Sequence, residues 1–142
     1  MFRGKKQPEE RYRHYWKEEI DSALLYYALA KAEKDPQRAE TLREMADMEV
    51  KHAAYWASKL GIEQPDIQTQ RPSLRARTLM ALGRLFGTRR VIPLMLRDEY
   101  RGINAYLYEP AGVALVEDER HHAQALERLV NGRSLQETLR AE

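Results

Sequence analysis

The sequence predicts an all-α fold, an antiparallel four-helix bundle made of two helix hairpins with a short basic amphipathic helix crossing between them. Three observations carry this prediction. Apolar residues recur every three or four positions along four long stretches, the spacing of one helix face. Helix-stopping residues fall between the stretches, at Pro36, Gly61, Gly87 and Pro110. The pattern Glu-x-x-His occurs twice, as Glu49-Val-Lys-His52 and Glu119-Arg-His-His122, each time on the second helix of a pair.

Residues 1–8 (MFRGKKQP) are basic and polar and read as a flexible tail, with Pro8 suited to the first turn of a helix. From Glu9 to about Lys34, Tyr12, Tyr15, Trp16, Glu19, Ala23, Tyr26 and Ala30 draw one inward stripe, and Glu19 lies inside it among aromatics. Asp35-Pro36 breaks that helix, because a residue before proline avoids helical angles. A second helix runs from about Gln37 to Leu60 with Gly61 as its C-cap. Residues 62–72 read as a loop.

A short amphipathic helix is predicted from Ser73, closed by Gly87, with Leu74, Leu79, Leu82, Leu85 and Phe86 on its apolar side. Residues 71–90 hold six arginines and no acid, which makes a solvated basic face or a surface for anionic lipid or a partner subunit. A third long helix from Val91 to about Tyr108 places Ile92, Met95, Leu96, Glu99, Ile103 and Tyr106 on one stripe, again with a glutamate on the apolar face. Glu109 to Gly112 form a turn, Val113 to Val130 a fourth helix ended by Asn131-Gly132, and 133–142 a polar extension or linker. The folded domain is thus expected over 9–132.

The chain has no cysteine, so disulfides, zinc ribbons and thiolate-held iron are excluded, and any metal must be held by carboxylate and imidazole. Those donors suit iron, manganese or zinc. The longest apolar run, Ala23 to Ala30, is far below the ~20 residues that cross a bilayer, and no secretory signal pattern opens the chain, so a cytoplasmic domain is expected. A net charge of +2 gives no reason to expect a nucleic-acid partner.

Three and four residues apart are neighbours on a helix, so each Glu-x-x-His puts a carboxylate and an imidazole on one face. Each is preceded, one helix earlier, by a second repeated pair, Glu19 with Tyr26 and Glu99 with Tyr106, seven residues apart in both cases. The order Glu, then Glu-x-x-His, twice over, is that of a carboxylate-bridged di-metal bundle. Helix rise supports it. Glu19 lies 17 residues before Pro36, while Glu49 and His52 lie 13 and 16 after it, so a hairpin at ~1.5 Å per residue returns all three to one height. Glu99 lies 11 residues before Pro110, with Glu119 and His122 lying 9 and 12 after it. Burying four carboxylates without compensation is prohibitive, whereas two divalent cations would neutralise them. The candidate ligands are therefore Glu19, Glu49, His52, Glu99, Glu119 and His122. Asp118 with His121 makes a neighbouring pair one step round the helix, and Tyr26 and Tyr106 are core aromatics that could also bond the ligands or carry a radical. His14 reads as a surface histidine.

If the chain ran through Pro110 as one kinked helix, Glu99 and Glu119 would stand ~30 Å apart and two chains would complete each site. A homodimer is expected in either case, because the apolar side of the crossover helix needs a cover.

With those residues in hand, the chain resembles the ferritin-like superfamily, in particular rubrerythrin-type domains. The stretches EIDSALLYYALAKAEKDPQRAETLREMADMEVKHAAYWASKL, PSLRARTLMALGRLFG and MLRDEYRGINAY…VEDERHHAQAL look most like the amino-terminal ferritin-like domain of bacterial membrane-bound ferritins. In that family the domain precedes a transporter-type membrane part. The resemblance covers about residues 10–130 and lacks the rubredoxin module of full rubrerythrins. It implies two iron ions held by the six residues above, with Glu49 and Glu119 bridging, Glu19 and Glu99 terminal, and His52 and His122 each capping one metal. It further implies oxidation of Fe(II) by O2 or H2O2 in iron storage, export or detoxification, in the cytosolic part of an inner-membrane protein. The competing expectation is a non-catalytic Fe(II) or Mn(II) receiver or sensor that feeds or gates a membrane transporter.

Overall fold

The computed structural model describes residues 7–131. It is all-helical there: α1 (Pro8–Ala32), α2 (Pro36–Leu60), α3 (Leu74–Phe86), α4 (Thr88–Leu107) and α5 (Val116–Asn131), with single 3-10 turns at Ile67–Thr69 and Val113–Leu115. Most of the expected tail 1–8, Gly132 and the 133–142 extension lie outside the described residues.

α1 begins with Pro8 in its first turn followed by Glu9 and Glu10, which suit the positive end of a helix. It stops at Ala32, two residues before the expected end, and extended Asp35 then caps α2 by accepting from the Arg38 N–H at 3.0 Å. Gly61 ends α2 in the left-handed conformation (φ 70°) that glycine adopts without strain. α1 packs along α2, and α4 along α5, so both predicted hairpins form.

α3 crosses between them and packs on α1 and α4. Ser73 anchors its start, capping Ala76 at 3.0 Å while its own N–H and hydroxyl bond Asp21 of α1 at 2.7 and 2.6 Å. A Cβ at Gly83 would fall 2.5 Å from Leu29 Cδ2, so the absence of a side chain permits this close approach to α1. The inward face of α3 is Ala76, Leu79, Met80 and Gly83 rather than the whole leucine set: Leu74, Leu85 and Phe86 are 73%, 75% and 62% exposed. α4 starts at Thr88, three residues earlier than expected. Gly87 (φ 93°) breaks the chain so sharply that the next helix begins at once, with buried Thr88 bonded to Glu33. Pro93 is tolerated as its sixth residue, where the freed carbonyl belongs to exposed Arg89.

The last helix is likewise shorter than expected, because Val113–Leu115 form a 3-10 turn before α5. The segment around Pro110 is a closed turn, not a kink: Gly112 N–H bonds the Glu109 carbonyl at 2.8 Å. Its conformation is held from outside. Arg11 of α1 reaches the buried Glu109 carboxylate at 2.7 Å, and Tyr55 of α2 donates to the Ala111 carbonyl. The second hairpin therefore folds back within one chain, and the kinked-helix alternative is set aside.

Two apolar clusters fill the interior. One is aliphatic, around Leu29, Leu42, Ile92, Met95 and Leu126; the other is aromatic, with Trp56 and Tyr106 flanked by Tyr12, Tyr15 and Tyr55. No helix among the described residues is long and apolar enough to cross a membrane.

Candidate metal centre

All six predicted ligands are buried at one level of the bundle, one from α1, two from α2, one from α4 and two from α5, each at most 6% exposed. For charged residues this degree of burial is rare unless they are paired or hold a metal. His122 is inside and His121 exposed, so the register of the second Glu-x-x-His is the one the repeat predicted. His14 is a surface residue beside Glu18, as expected.

The six fall into two overlapping groups, Glu19–Glu49–His52–Glu119 and Glu49–Glu99–Glu119–His122, each offering ligand atoms within 4.8 Å of one another. That is close to the ~4 Å span across an ion bound at 2.0–2.2 Å. Glu49 and Glu119 belong to both groups. The groups are related by the sequence repeat: His52 Nδ1 lies 3.0 Å from Glu119 Oε1 and 3.5 Å from Glu19 Oε2, and His122 Nδ1 lies 2.7 Å from Glu49 Oε1 and 3.7 Å from Glu99 Oε1. The imidazoles stack at 5.9 Å between centroids.

Each of the six also keeps one buried atom with no well-directed hydrogen bond: Glu19 Oε2, Glu49 Oε1, His52 Nδ1, Glu99 Oε2, Glu119 Oε1 and His122 Nδ1. A buried polar atom without a well-directed bond costs about 1–3 kcal/mol and more when charged, so six converging in one place mark a site shaped for a further partner. The donors fit two divalent cations, which would take up those atoms.

Two of the glutamates are also held by tyrosines from across the hairpins. Tyr26 donates to Glu99 Oε1 at 2.6 Å and Tyr106 to Glu19 Oε1 at 2.6 Å, so each tyrosine serves the glutamate of the other hairpin. Trp56 Nε1 in turn donates to the Tyr106 hydroxyl at 3.1 Å. Electrostatics follow from crowding. Burial, then the charges of Glu19, Glu119 and Glu99, hold the Glu49 carboxyl well above its usual range. Burial and the Glu99 charge do the same to Glu119. Burial acts to raise Glu99 too, but contacts with Glu119, His122 and Tyr26 hold it below its usual value. Burial disfavours the His52 cation, yet its contacts with Glu119 and Glu19 outweigh this and push its pKa up to about 11. Without cations, protons are the counter-charge.

A cavity of about 560 Å³ opens from the centre between α1 and α4, beneath α3. Glu19, Glu99 and Glu119 line its floor, and Ser22, Gly102 and Ala105 keep its walls thin.

Sequence reasoning missed three residues. Asp118 does not pair with His121; its Oδ2 lies 3.0 Å from His52 Nε2 on the opposite hairpin. Glu109, expected only as part of a turn, is a buried anchor for Arg11. Gly102 lies one turn from Glu99, and a Cβ there would stand 3.3 Å from Glu119 Oε2. The spacing of Asp118 directly before its Glu-x-x-His was a visible signal; the other two had none.

No protein-family model, curated protein or solved structure compared with the chain matches it.

Proposed function

We propose that the chain is a ferritin-like, rubrerythrin-type domain whose centre binds two iron ions and oxidises Fe(II) to Fe(III). The observation that carries this reading is the sharing of Glu49 and Glu119 between two four-residue ligand groups that the sequence repeat relates to each other. Two independent four-coordinate sites would need no common ligand; a pair of ions held side by side does.

In this reading Fe(II) is the substrate, and it surrenders one electron per ion to O2 or H2O2; with O2, two Fe(II) and two protons yield two Fe(III) and hydrogen peroxide. The chain's own residues set the conditions. Four carboxylates and two imidazoles, all hard or borderline donors, favour the ferric product over the ferrous substrate. Tyr26 and Tyr106 restrain the Glu99 and Glu19 side chains by donating to one oxygen of each. His52, Glu49 and Glu119 release the protons they hold without cations. The cavity between α1 and α4, about 560 Å³, has the volume to admit a hydrated ion and the oxidant.

The decisive experiment is anaerobic titration of metal-free protein with Fe(II) followed by air. Saturation at two Fe(II) per chain with prompt oxygen uptake, both lost in Glu49→Ala, is the expected result. Tight binding of two ions without oxygen uptake would favour the receiver or sensor reading, and absence of binding would remove the metal assignment altogether.

A further inference from the structure

The repeat that builds the centre is broken at one position that touches it. Asp118 stands directly before Glu119-x-x-His122, and Met48 stands directly before Glu49-x-x-His52. Both positions are half-buried, so the two side chains occupy equivalent places on α5 and α2. The Asp118 carboxylate crosses to His52, with Oδ2 3.0 Å from Nε2. The ion pairs of His122 are made through Nδ1, to Glu49 and Glu99, and no hydrogen bond or ion pair to its Nε2 is found among the described residues.

We infer that the two halves of the centre are inequivalent and fill in order, the Glu19–Glu49–His52–Glu119 half first, with Asp118 as the positioning residue that makes it the tighter one. This rests on the two-ion reading above. His52 turns Nδ1 toward Glu19 and Glu119 and Nε2 toward Asp118. A carboxylate at Nε2 keeps the ring hydrogen there when a cation displaces the proton at Nδ1, so it is Nδ1 that would be presented to the ion. It also fixes the ring plane and makes the imidazole a stronger donor. His122 has Nδ1 turned to Glu49 and Glu99 in the same way, but no carboxylate among the described residues stands at its Nε2 to hold the hydrogen there. Losing such a carboxylate partner from a ligating histidine typically lowers affinity about 10–100-fold. The two halves should differ by a factor of that order. Glu49 and Glu119 belong to both halves, so holding a first ion would also order them for a second.

The test is anaerobic titration of the whole chain with Co(II), whose visible bands report each ligand set and which air does not consume on the timescale of titration. Wild type is expected to bind two Co(II) in two resolved steps. His52→Ala should abolish the tighter step and His122→Ala the weaker one. Asp118→Asn keeps a hydrogen-bond acceptor without the charge, and Asp118→Ala keeps neither; the tighter step should weaken about 10-fold or more in the first and further in the second, with the weaker step nearly unchanged. Met48→Asp places a carboxylate beside the other half and should strengthen the weaker step. Two steps of equal affinity in wild type, or an equal loss at both steps in the Asp118 variants, would overturn the inference while leaving the two-ion reading intact. Failure of wild type to bind Co(II) at all would instead defeat the two-ion reading.

Discussion

The Tyr106 hydroxyl donates to Glu19 at 2.6 Å, joining the end of α4 in the second hairpin to the middle of α1 in the first. Tyr26 makes the reciprocal bond to Glu99. The two contacts look alike but differ behind the tyrosine, because only Tyr106 also accepts from Trp56.

Tyr26→Phe and Tyr106→Phe should therefore have the same functional effect and unequal structural ones. Each frees one glutamate to rotate, and metal affinity should drop about 10-fold or more in either. Tyr106→Phe additionally leaves the indole N–H of fully buried Trp56 without an acceptor, which costs ~1–3 kcal/mol. Urea denaturation of the metal-free variants should separate the two; equal stabilities would contradict the role given to Trp56.

Glu49→Gln and Glu119→Gln should trade binding for stability. Each carboxyl is held well above its usual pKa by burial and by neighbouring carboxylates, so its ionised form opposes folding. The neutral amide should stabilise metal-free protein at pH 8 by ~1 kcal/mol, while abolishing uptake of the second ion. Denaturation midpoints with and without Zn(II) read out both effects.

Stability of the metal-free protein should fall as pH rises. A group with a raised folded-state pKa contributes stability that is complete below its unfolded value and lost as pH climbs through the folded one. For His52 that window runs from 6.5 to about 11, and for Glu49 and Glu119 it opens at the ordinary carboxylate range and extends well above it. The thermal midpoint should decline from pH 6 to pH 10 in metal-free protein. With divalent cations bound the protons are already displaced, so the decline should vanish, and loading in weak buffer should acidify the solution.

Gly102→Ala should set the usual stability benefit of alanine in a helix, about 1 kcal/mol, against a loss of metal binding. Its Cβ, 3.3 Å from Glu119 Oε2, pushes on a shared ligand and narrows the cavity. Metal-free protein should be as stable as wild type or more so, but Zn(II) should bind more weakly and load more slowly in stopped flow. Unchanged loading would mean that cations reach the centre by another route.

Much of this was readable from one chain of letters. The helices, the hairpin turns and the six buried glutamates and histidines are all written in local spacing: Glu49 and His52 share a face because a helix turns every 3.6 residues, and Glu19 meets their level because rise per residue is constant. Boundaries were less legible. α4 began at Thr88 because Gly87 could take φ 93°, and no apolar period marks that point. Leu85 and Phe86, read with Leu79 as one apolar side, are exposed while Leu79 is buried, because Gly83 set the side by which α3 meets α1.

What the sequence determined by itself is which four glutamates and two histidines turn inward and the height at which they meet, since periodicity and rise are properties of each helix alone. The tertiary structure decided which residue of one hairpin faces which residue of the other. That depends on the rotation of each helix about its axis, which is set by packing among α1, α3 and α4 and by the Arg11–Glu109 clamp on the turn. Hence Tyr26 serves Glu99, Tyr106 serves Glu19, and Asp118 turns from its own neighbour His121 to His52. No spacing along a single helix records a rotation between two.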